Sequence, residues 1–541
     1  MQSSDEALLG QSLTELLDTL PPKISSRLFK WAASASHSIA VRDHKGNTST
    51  YAELADQVRE AQKILQNLGV SAGDRVLLIN ENCVVLTVLI LALSELDALS
   101  VVVNARMSAS ELQKIKQHCQ PRTTFYLLDS QAVESHWLTA RARASDQQTA
   151  HGQSAESQSA KGDSMRVQQL TLGSASIGVE LDKNVFAADQ ALVQSGVCSL
   201  IYTTGTTGDP KGVMLTHRNI LYVAAITSVL RGMRADDRIY AVLPISHVFG
   251  LAAVFLATIY VGAELVLVDR FDARQTIETL RSAGITGMFG VPTMFARLLE
   301  YAKASGLKPQ DMPRLRFIYS GGAPLDSRIK ADTETLFGLT LLNAYGMTET
   351  GPTICQVRFN ELLDSCSVGR PLPGLSVKVL NDKGQPAAEG ETGELHIKGP
   401  NVMLGYYRNP QATAAVLDVE GYLNTGDLVR FDASGNMHIA GRSKELIIHS
   451  GFNVYPPEVE AVIARHPEVT ICAVVGRTIN GNEEVVAFVQ RAVGSTLDAR
   501  ALSAFIKPDL AAYKRPSEII FMDALPAAPS GKVLKHQLLR L

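Results

Sequence analysis

Short apolar runs bounded by polar or turn-forming residues alternate along the chain with longer stretches in which apolar positions recur three and four residues apart. Arg75–Ile79, Thr124–Leu128, Cys198–Tyr202 and Leu265–Val268 are runs of the first kind, the pattern of strands covered on both faces. Leu54–Leu68 and Ile220–Leu230 are stretches of the second kind, with the spacing of amphipathic or buried helices. This alternation predicts an α/β protein with largely buried strands. Two longer apolar segments, Val84–Val103 and Leu251–Val268, are interrupted by Glu95 and Asp97 and by Glu264. A membrane span wants about 20 residues with few or no charges, so both are expected to be buried helix and strand. The opening MQSSDEALLGQSLTELL has no basic start and no continuous apolar stretch; it predicts an amphipathic helix and no secretory signal.

The pattern fails in one place. Residues 141–162 are rich in Ser, Gln and Ala with almost no large apolar side chains, and are expected to form a flexible surface loop. A second change comes near Gly441-Arg442-Ser443-Lys444, where polar residues precede the apolar run Leu446–Ile448. The expected organisation is a large N-terminal domain, 1–441, and a small α/β C-terminal domain, 442–541. The 541-residue length supports a division, because single cores stop growing at roughly 250–300 residues.

Composition narrows the class. Hydrophobic content of 46%, charged content of 19% and a net charge of −3 describe a soluble globular protein with no nucleic-acid partner. Cys83, Cys119, Cys198, Cys355, Cys366 and Cys472 form no CxxC pair and no metal-ligand spacing, so they are expected to be reduced core thiols in a cytoplasmic protein; peripheral contact with a membrane stays open.

Candidate chemistry begins at Thr203-Thr-Gly-Thr-Thr-Gly-Asp-Pro-Lys-Gly212, directly after an apolar strand. Glycines let backbone N–H groups approach phosphate oxygens, hydroxyls donate further bonds, and Lys211 adds a cation. A Walker loop would follow Lys211 with Ser or Thr rather than Gly212; a ligand-free Gly/Thr turn is the alternative. Asn343–Gly351 combines Tyr345 to stack a base, Thr348 to hold a phosphate and Glu349 to face magnesium, or else is a helix start capped by Thr. In Ser320-Gly321-Gly322-Ala323-Pro324 the small residues let a ligand lie against the backbone. Asp427 is expected at a turn, accepting from ribose hydroxyls, or closing an Asx turn. His247, after an apolar strand, is by itself more often structural.

TTGTTGDPKG resembles the signature loop of the adenylate-forming superfamily of acyl- and aryl-CoA synthetases, peptide-synthetase adenylation domains and firefly luciferase. NAYGMTETG resembles its YGxTE motif, YLNTGD with Gly441-Arg442 its ribose motif, PISHVFG its PxxHxxG motif, and PSGKVLK its C-terminal Pro-x-Gly-Lys element. The resemblance covers nearly the whole chain. It implies a large N-terminal adenylate-forming domain of mixed sheets and helices with a small mobile C-terminal domain. It also implies ATP and Mg2+, with coenzyme A as co-substrate. Nucleotide contacts would come from Thr203, Thr204, Gly205, Thr206, Thr207, Lys211, Gly322, Ala323, Asn343, Ala344, Tyr345, Gly346, Thr348, Asp427 and Arg442, with Thr203 and Glu349 bordering the metal. Lys532 would be the catalytic lysine, bridging the attacking carboxylate and the α-phosphate, and His247 would position the acid. Val248, Phe249, Gly321, Gly322 and Met347 would line the acyl pocket, Lys444 would be the hinge, and Ser450, Gly451 and Phe452 would line the thiol path. SGFNVYPPEVE is most similar to the fatty-acyl-CoA synthetase and coumarate-CoA ligase branches. The implied reaction is ATP-dependent ligation of a fatty or aryl acid to CoA. A ligase loading a carrier protein, or a luciferase-like oxygenase, is the alternative. A dicarboxylic acid would need a second pocket cation, for which Arg297 is the candidate, against its reading as a solvated helix residue.

Overall fold

A computed structural model describes residues 2–128, 130–152, 166–172, 175–181, 187–204, 210–308, 311–449, 452–479, 482–492, 494–527 and 533–540. Two large sheets carry the N-terminal part. The eight-stranded sheet has at its centre the parallel strands Val197–Thr204, Leu99–Asn104, Arg75–Asn80 and Thr123–Leu127. Arg75–Asn80 is buried at every position, which is why it reads as a continuous run with no polar face. The nine-stranded sheet runs parallel from Ile39–Arg42 through Glu264–Leu267, Arg238–Ala241, Gly287–Gly290 and Phe317–Ser320 to Leu341–Gly346. Beyond that strand it turns antiparallel at Thr353–Gln356.

The two long apolar segments are buried as expected. Val84–Val103 contains helix Val84–Glu95 and most of strand Leu99–Asn104. Leu251–Val268 falls in a π-helix, Phe249–Leu256, followed by helix Ala257–Val261 and strand Glu264–Leu267. No described helix is long and apolar enough to cross a membrane. Helix His217–Leu230 is buried almost all round and starts at Thr216, whose hydroxyl accepts from the Asn219 N–H, a cap that ends the preceding strand and begins the helix.

After the large sheets come an antiparallel four-stranded sheet, Ser376–Leu380, Gly393–Lys398, Leu423–Phe431 and Met437–Arg442, and a 3-10 turn at Ser443–Glu445. Two small sheets follow: Ile447–His449 with Phe452–Val454, and Val469–Ile479 with Asn482–Arg491 and Glu518–Met522. Buried apolar residues from Ile447 onward form their own clusters, separate from those that end at Met437. The six cysteines are free thiols.

Three expectations are corrected. Residues 141–152 are not loop but the second half of helix Gln131–Gly152, since Ala, Arg and Gln are good helix formers even without an apolar face; 153–162 lie outside the described residues. The N-terminal segment is two helices, Gln2–Leu9 and Leu13–Asp18, broken at Gly10 with φ 67° and restarted by a capping box on Ser12 and Glu15. Asp427 is on strand Leu423–Phe431 rather than at a turn; a register shift opposite Leu395, with Gly426 at φ 67°, is the local irregularity that the TGD sequence encodes.

Candidate functional site

Strand Leu341–Gly346 delivers Tyr345, whose hydroxyl donates to Asp427 Oδ2 at 2.5 Å. On the other side of the carboxylate, Arg442 Nε lies 3.0 Å from Oδ1, placed there because Asp427 and Arg442 are register partners on neighbouring strands. Burial first and then the adjacent carboxylate hold the Tyr345 phenol well above its usual range, so it remains a donor. Asp427 holds the Arg442 guanidinium above its ordinary value. Both Asp427 oxygens are engaged, yet an ionised carboxylate has about four acceptor positions, leaving room for further hydroxyl donors. Asn343, on the same strand, is pinned by Nδ2 donating to the Cys366 carbonyl at 3.0 Å.

Beyond Gly346 the chain folds into the 3-10 turn Thr348–Thr350, with Thr348 and Glu349 both buried. A side chain on Gly346 would place its Cβ 1.8 Å from the Pro352 carbonyl oxygen, so only glycine allows the turn to close. Glu349 Oε1 accepts from the Tyr406 hydroxyl at 2.7 Å, and its backbone carbonyl accepts from the Met403 N–H at 2.9 Å. Tyr406 in turn lies under Lys211, whose Nζ is 5.0 Å from the ring centroid. Strand Gly405–Tyr406 pairs with Pro210–Thr216, and that strand forms a hairpin with Val197–Thr204 in which Thr203 faces Lys211 and Thr204 faces Pro210. One contiguous set of contacts therefore joins the hydroxyl-rich hairpin to Glu349. Gly205, Thr206 and Thr207 lie outside the described residues.

His247 is exposed, at the entrance to the π-helix, with Nδ1 accepting from the Phe249 N–H at 3.3 Å. Val248 and Phe249 are buried behind it. A Cβ on Gly250 would come 2.2 Å from the Pro244 carbonyl oxygen, which explains glycine at that place in the motif. Phe249 reaches across to Gly321: a Cβ there would touch the Phe249 ring at 3.1 Å and the Ala344 carbonyl at 3.3 Å. Gly322 is exposed at φ 80° and Ala323 half-buried beside it. Met347, half-buried, packs on the main core. The structure thus brings the His247 segment, the Gly321 segment and Ala344 together.

Other expected residues stand apart. Lys444 is exposed in the turn after Arg442. Phe452 is exposed and stacks on Tyr513 with centroids 4.6 Å apart. Ser450, Gly451 and Lys532 lie outside the described residues. Arg297 is exposed on helix Pro292–Ser305, as a solvated residue would be. Two residues escaped the sequence reading. Tyr406 gave no motif of its own, and its role comes from strand pairing. Arg231 carried a signal: it is the first charge after Arg218, directly following the largely apolar run Ile220–Leu230.

Residues 28–407 match the model of the AMP-binding enzyme family and residues 458–532 that of the AMP-binding enzyme C-terminal domain. Feruloyl-CoA synthase of an Amycolatopsis species is 32% identical over 519 residues, covering 94% of this chain and 97% of the relative. A 4-coumarate–CoA ligase of Oryza sativa subsp. japonica is 31% identical, covering 91% and 87%. Among solved structures, ATP-bound MatB from Rhodopseudomonas palustris superposes with a TM-score of 0.80 at 28% identity over 96% of this chain and 98% of that one. The o-succinylbenzoate CoA synthetase MenE from Bacillus subtilis, in complex with ATP and magnesium ion, gives 0.76 at 26% over 95% and 98%.

Proposed function

The chain belongs to the AMP-binding enzyme family and is an AMP-forming acid–CoA ligase, and on that premise we propose that its acid is a fatty or aryl carboxylic acid, with hydroxycinnamic acids among the latter. The observation that carries the nucleotide site is the Tyr345–Asp427–Arg442 cluster, supported by the Lys211–Tyr406–Glu349 contacts. In the first half-reaction the acid's carboxylate oxygen bonds to the α-phosphorus of ATP as the bond to pyrophosphate breaks. In the second, a CoA sulfur bonds to the acyl carbon as AMP leaves. Tyr345 offers a flat face to the base, Asp427 accepts from the ribose hydroxyls, and Lys211 with the hairpin hydroxyls of Thr203 and Thr204 holds the phosphates. Lys532 supplies the cation that offsets charge building on the reacting oxygens. His247, at the mouth of the Phe249 and Gly321 segments, orients the carboxylate.

Glu349 fits a magnesium ion. Its carboxylate is a hard oxygen donor, and among the described residues the Tyr406 hydroxyl donates to its Oε1. Among the described residues no group of three His, Cys, Asp or Glu could hold a metal alone, which agrees with an ion that takes one carboxylate together with substrate phosphates. Bound there, it would neutralise phosphate charge. We assign residues 1–441 to the nucleotide and acyl domain and 442–541 to a mobile domain turning about Lys444, with Ser450, Gly451 and Phe452 on the thiol path. The separate buried clusters on either side of the 3-10 turn support that division.

Pyrophosphate release is the direct measurement, across fatty, hydroxycinnamic, benzoic and dicarboxylic acids, with and without CoA. Release dependent on a fatty or aryl acid, followed by a CoA thioester, is expected. Release only with dicarboxylic acids, or with none, would refute the substrate assignment. Lys532→Ala is expected to abolish adenylate formation while sparing thioester formation from a supplied acyl adenylate; equal loss in both would sink the role given to Lys532.

A further inference from the structure

We propose that Arg231 closes the far end of the acyl pocket and selects acids carrying an oxygen hydrogen-bond acceptor, phenolic or carboxylate, at the end remote from the reacting carboxyl. The proposal rests on the ligase reading and extends it to the choice of substrate. Arg231 follows helix His217–Leu230 and is fully buried, at 0% exposure. Its guanidinium lies 5.0 Å from the Phe289 ring centroid and 5.2 Å from that of Tyr319. Nη1 donates to the Ala253 carbonyl at 2.7 Å, whereas Nε has no hydrogen-bond partner among the described residues. Among the described residues no carboxylate forms an ion pair with it. Burial lowers its pKa to about 10, which leaves it cationic at neutral pH.

Two more buried polar atoms, on residues joined to it through the Thr227 carbonyl, lack partners among the described residues. Thr227 Oγ1 is one helical turn earlier, the Thr227 carbonyl accepting from the Arg231 N–H at 3.0 Å. Gln356 Oε1 is orphaned while Gln356 Nε2 reaches that same carbonyl at 3.5 Å. Among the described residues, a donor, a hydroxyl and an acceptor on three linked residues are thus left without partners; each such buried group is costly, and a buried charge costs more. An apolar side chain at 231 would avoid that cost, so the residue choice points to a group that enters and satisfies them.

The place adjoins the acyl segments. Phe249, which faces Gly321, meets Phe289 edge-on with centroids 6.4 Å apart. Phe289 stacks on Tyr319 at 5.8 Å, and the guanidinium sits against both. Ala253, which holds Nη1, is four residues beyond Phe249 on the same buried π-helix. One aromatic ring therefore separates the Phe249 wall from the cation, and an acid lying along that wall would bring its far end toward Arg231.

The test compares matched acids in wild type and Arg231→Met by kcat/KM for pyrophosphate release: 4-coumarate against cinnamate, and decanedioate against decanoate. Wild type is expected to prefer at least one oxygen-bearing member by about tenfold or more, because a site built to bond an oxygen rejects the analogue without it. The first pair reads a phenolic oxygen and the second a carboxylate. Arg231→Met is expected to bring that ratio to about one while keeping activity on cinnamate or decanoate within about threefold. Equal wild-type rates within both pairs, or a preference that survives the substitution, overturns the proposal and leaves Arg231 a structural cation. Should Arg231→Met fail to fold, Gln356→Leu and Thr227→Val must lower the same ratio. Absence of release with every acid would instead defeat the ligase reading itself.

Discussion

At the scale of single residues, the proposed nucleotide site depends on hydrogen-bond partners that fix side chains before any ligand arrives. Asp427 is held from both sides, by the Tyr345 hydroxyl and by Arg442 Nε, so its carboxylate keeps one orientation. Asp427→Asn removes the charge facing Arg442 and one acceptor. The expected result is a rise of about tenfold or more in KM for ATP, since hydrogen bonds to charged groups contribute about 1.5–3 kcal/mol, with the fold retained by thermal denaturation. Tyr345→Phe is expected to raise KM less, because Arg442 still orients the carboxylate. An unchanged KM in Asp427→Asn would remove Asp427 from the nucleotide site. The residue types at 345, 427 and 442 were legible in the sequence because each belongs to a short motif. Tyr406 was not, because a tyrosine reaching Glu349 through a neighbouring strand leaves no local spacing to read.

At the scale of elements, helix His217–Leu230 links the hairpin to the core and anchors the N-terminal segment. His217 is its first residue, and Nδ1 accepts from the Ile24 N–H at 3.3 Å. Burial first and then nearby Lys23 lower its pKa to about 4. Between about 4 and 6.5 the unfolded chain binds a proton here that the folded chain does not, so stability rises with pH across that window and is lost as pH falls through it. The loss from this group is on the order of 2 kcal/mol by pH 5. His217→Gln is expected to show a smaller drop in Tm between pH 7 and pH 5 than wild type; an identical drop would show that His217 does not titrate in this way. Strands and helices were legible where pattern and burial coincide, as at Arg75–Asn80 and Tyr51–Asn67. Residues 141–152 were not, because helix propensity without an apolar face looks like loop on a hydrophobicity pattern.

At the scale of the whole molecule, the C-terminal region is tied to the turn at Ser443–Glu445 through Lys535. Its Nζ lies 2.8 Å from Glu460 Oε1 and 3.2 Å from Glu445 Oε2. Burial would lower its pKa, but the two carboxylates outweigh burial and raise it, so it remains a cation. Lys535→Met strands two carboxylates in a partly buried place and is expected to cost about 3 kcal/mol, read as a lower Tm and faster proteolysis near the turn. Adding Glu460→Gln is expected to restore part of the loss; no effect of either change would show that the cluster bears no strain. The sequence by itself determined the α/β class, the burial of the apolar segments and the motifs that place the chain in its family, because these depend on periodicity and on residues close together in the chain. Only the tertiary structure decided that Asp427 stands on a strand opposite Arg442, that Tyr406 joins Lys211 to Glu349, and that Arg231 lies behind Phe289 with no carboxylate paired to it among the described residues. Those relations are set by register between distant strands and by which faces pack together, and neither is written in any one stretch of the chain.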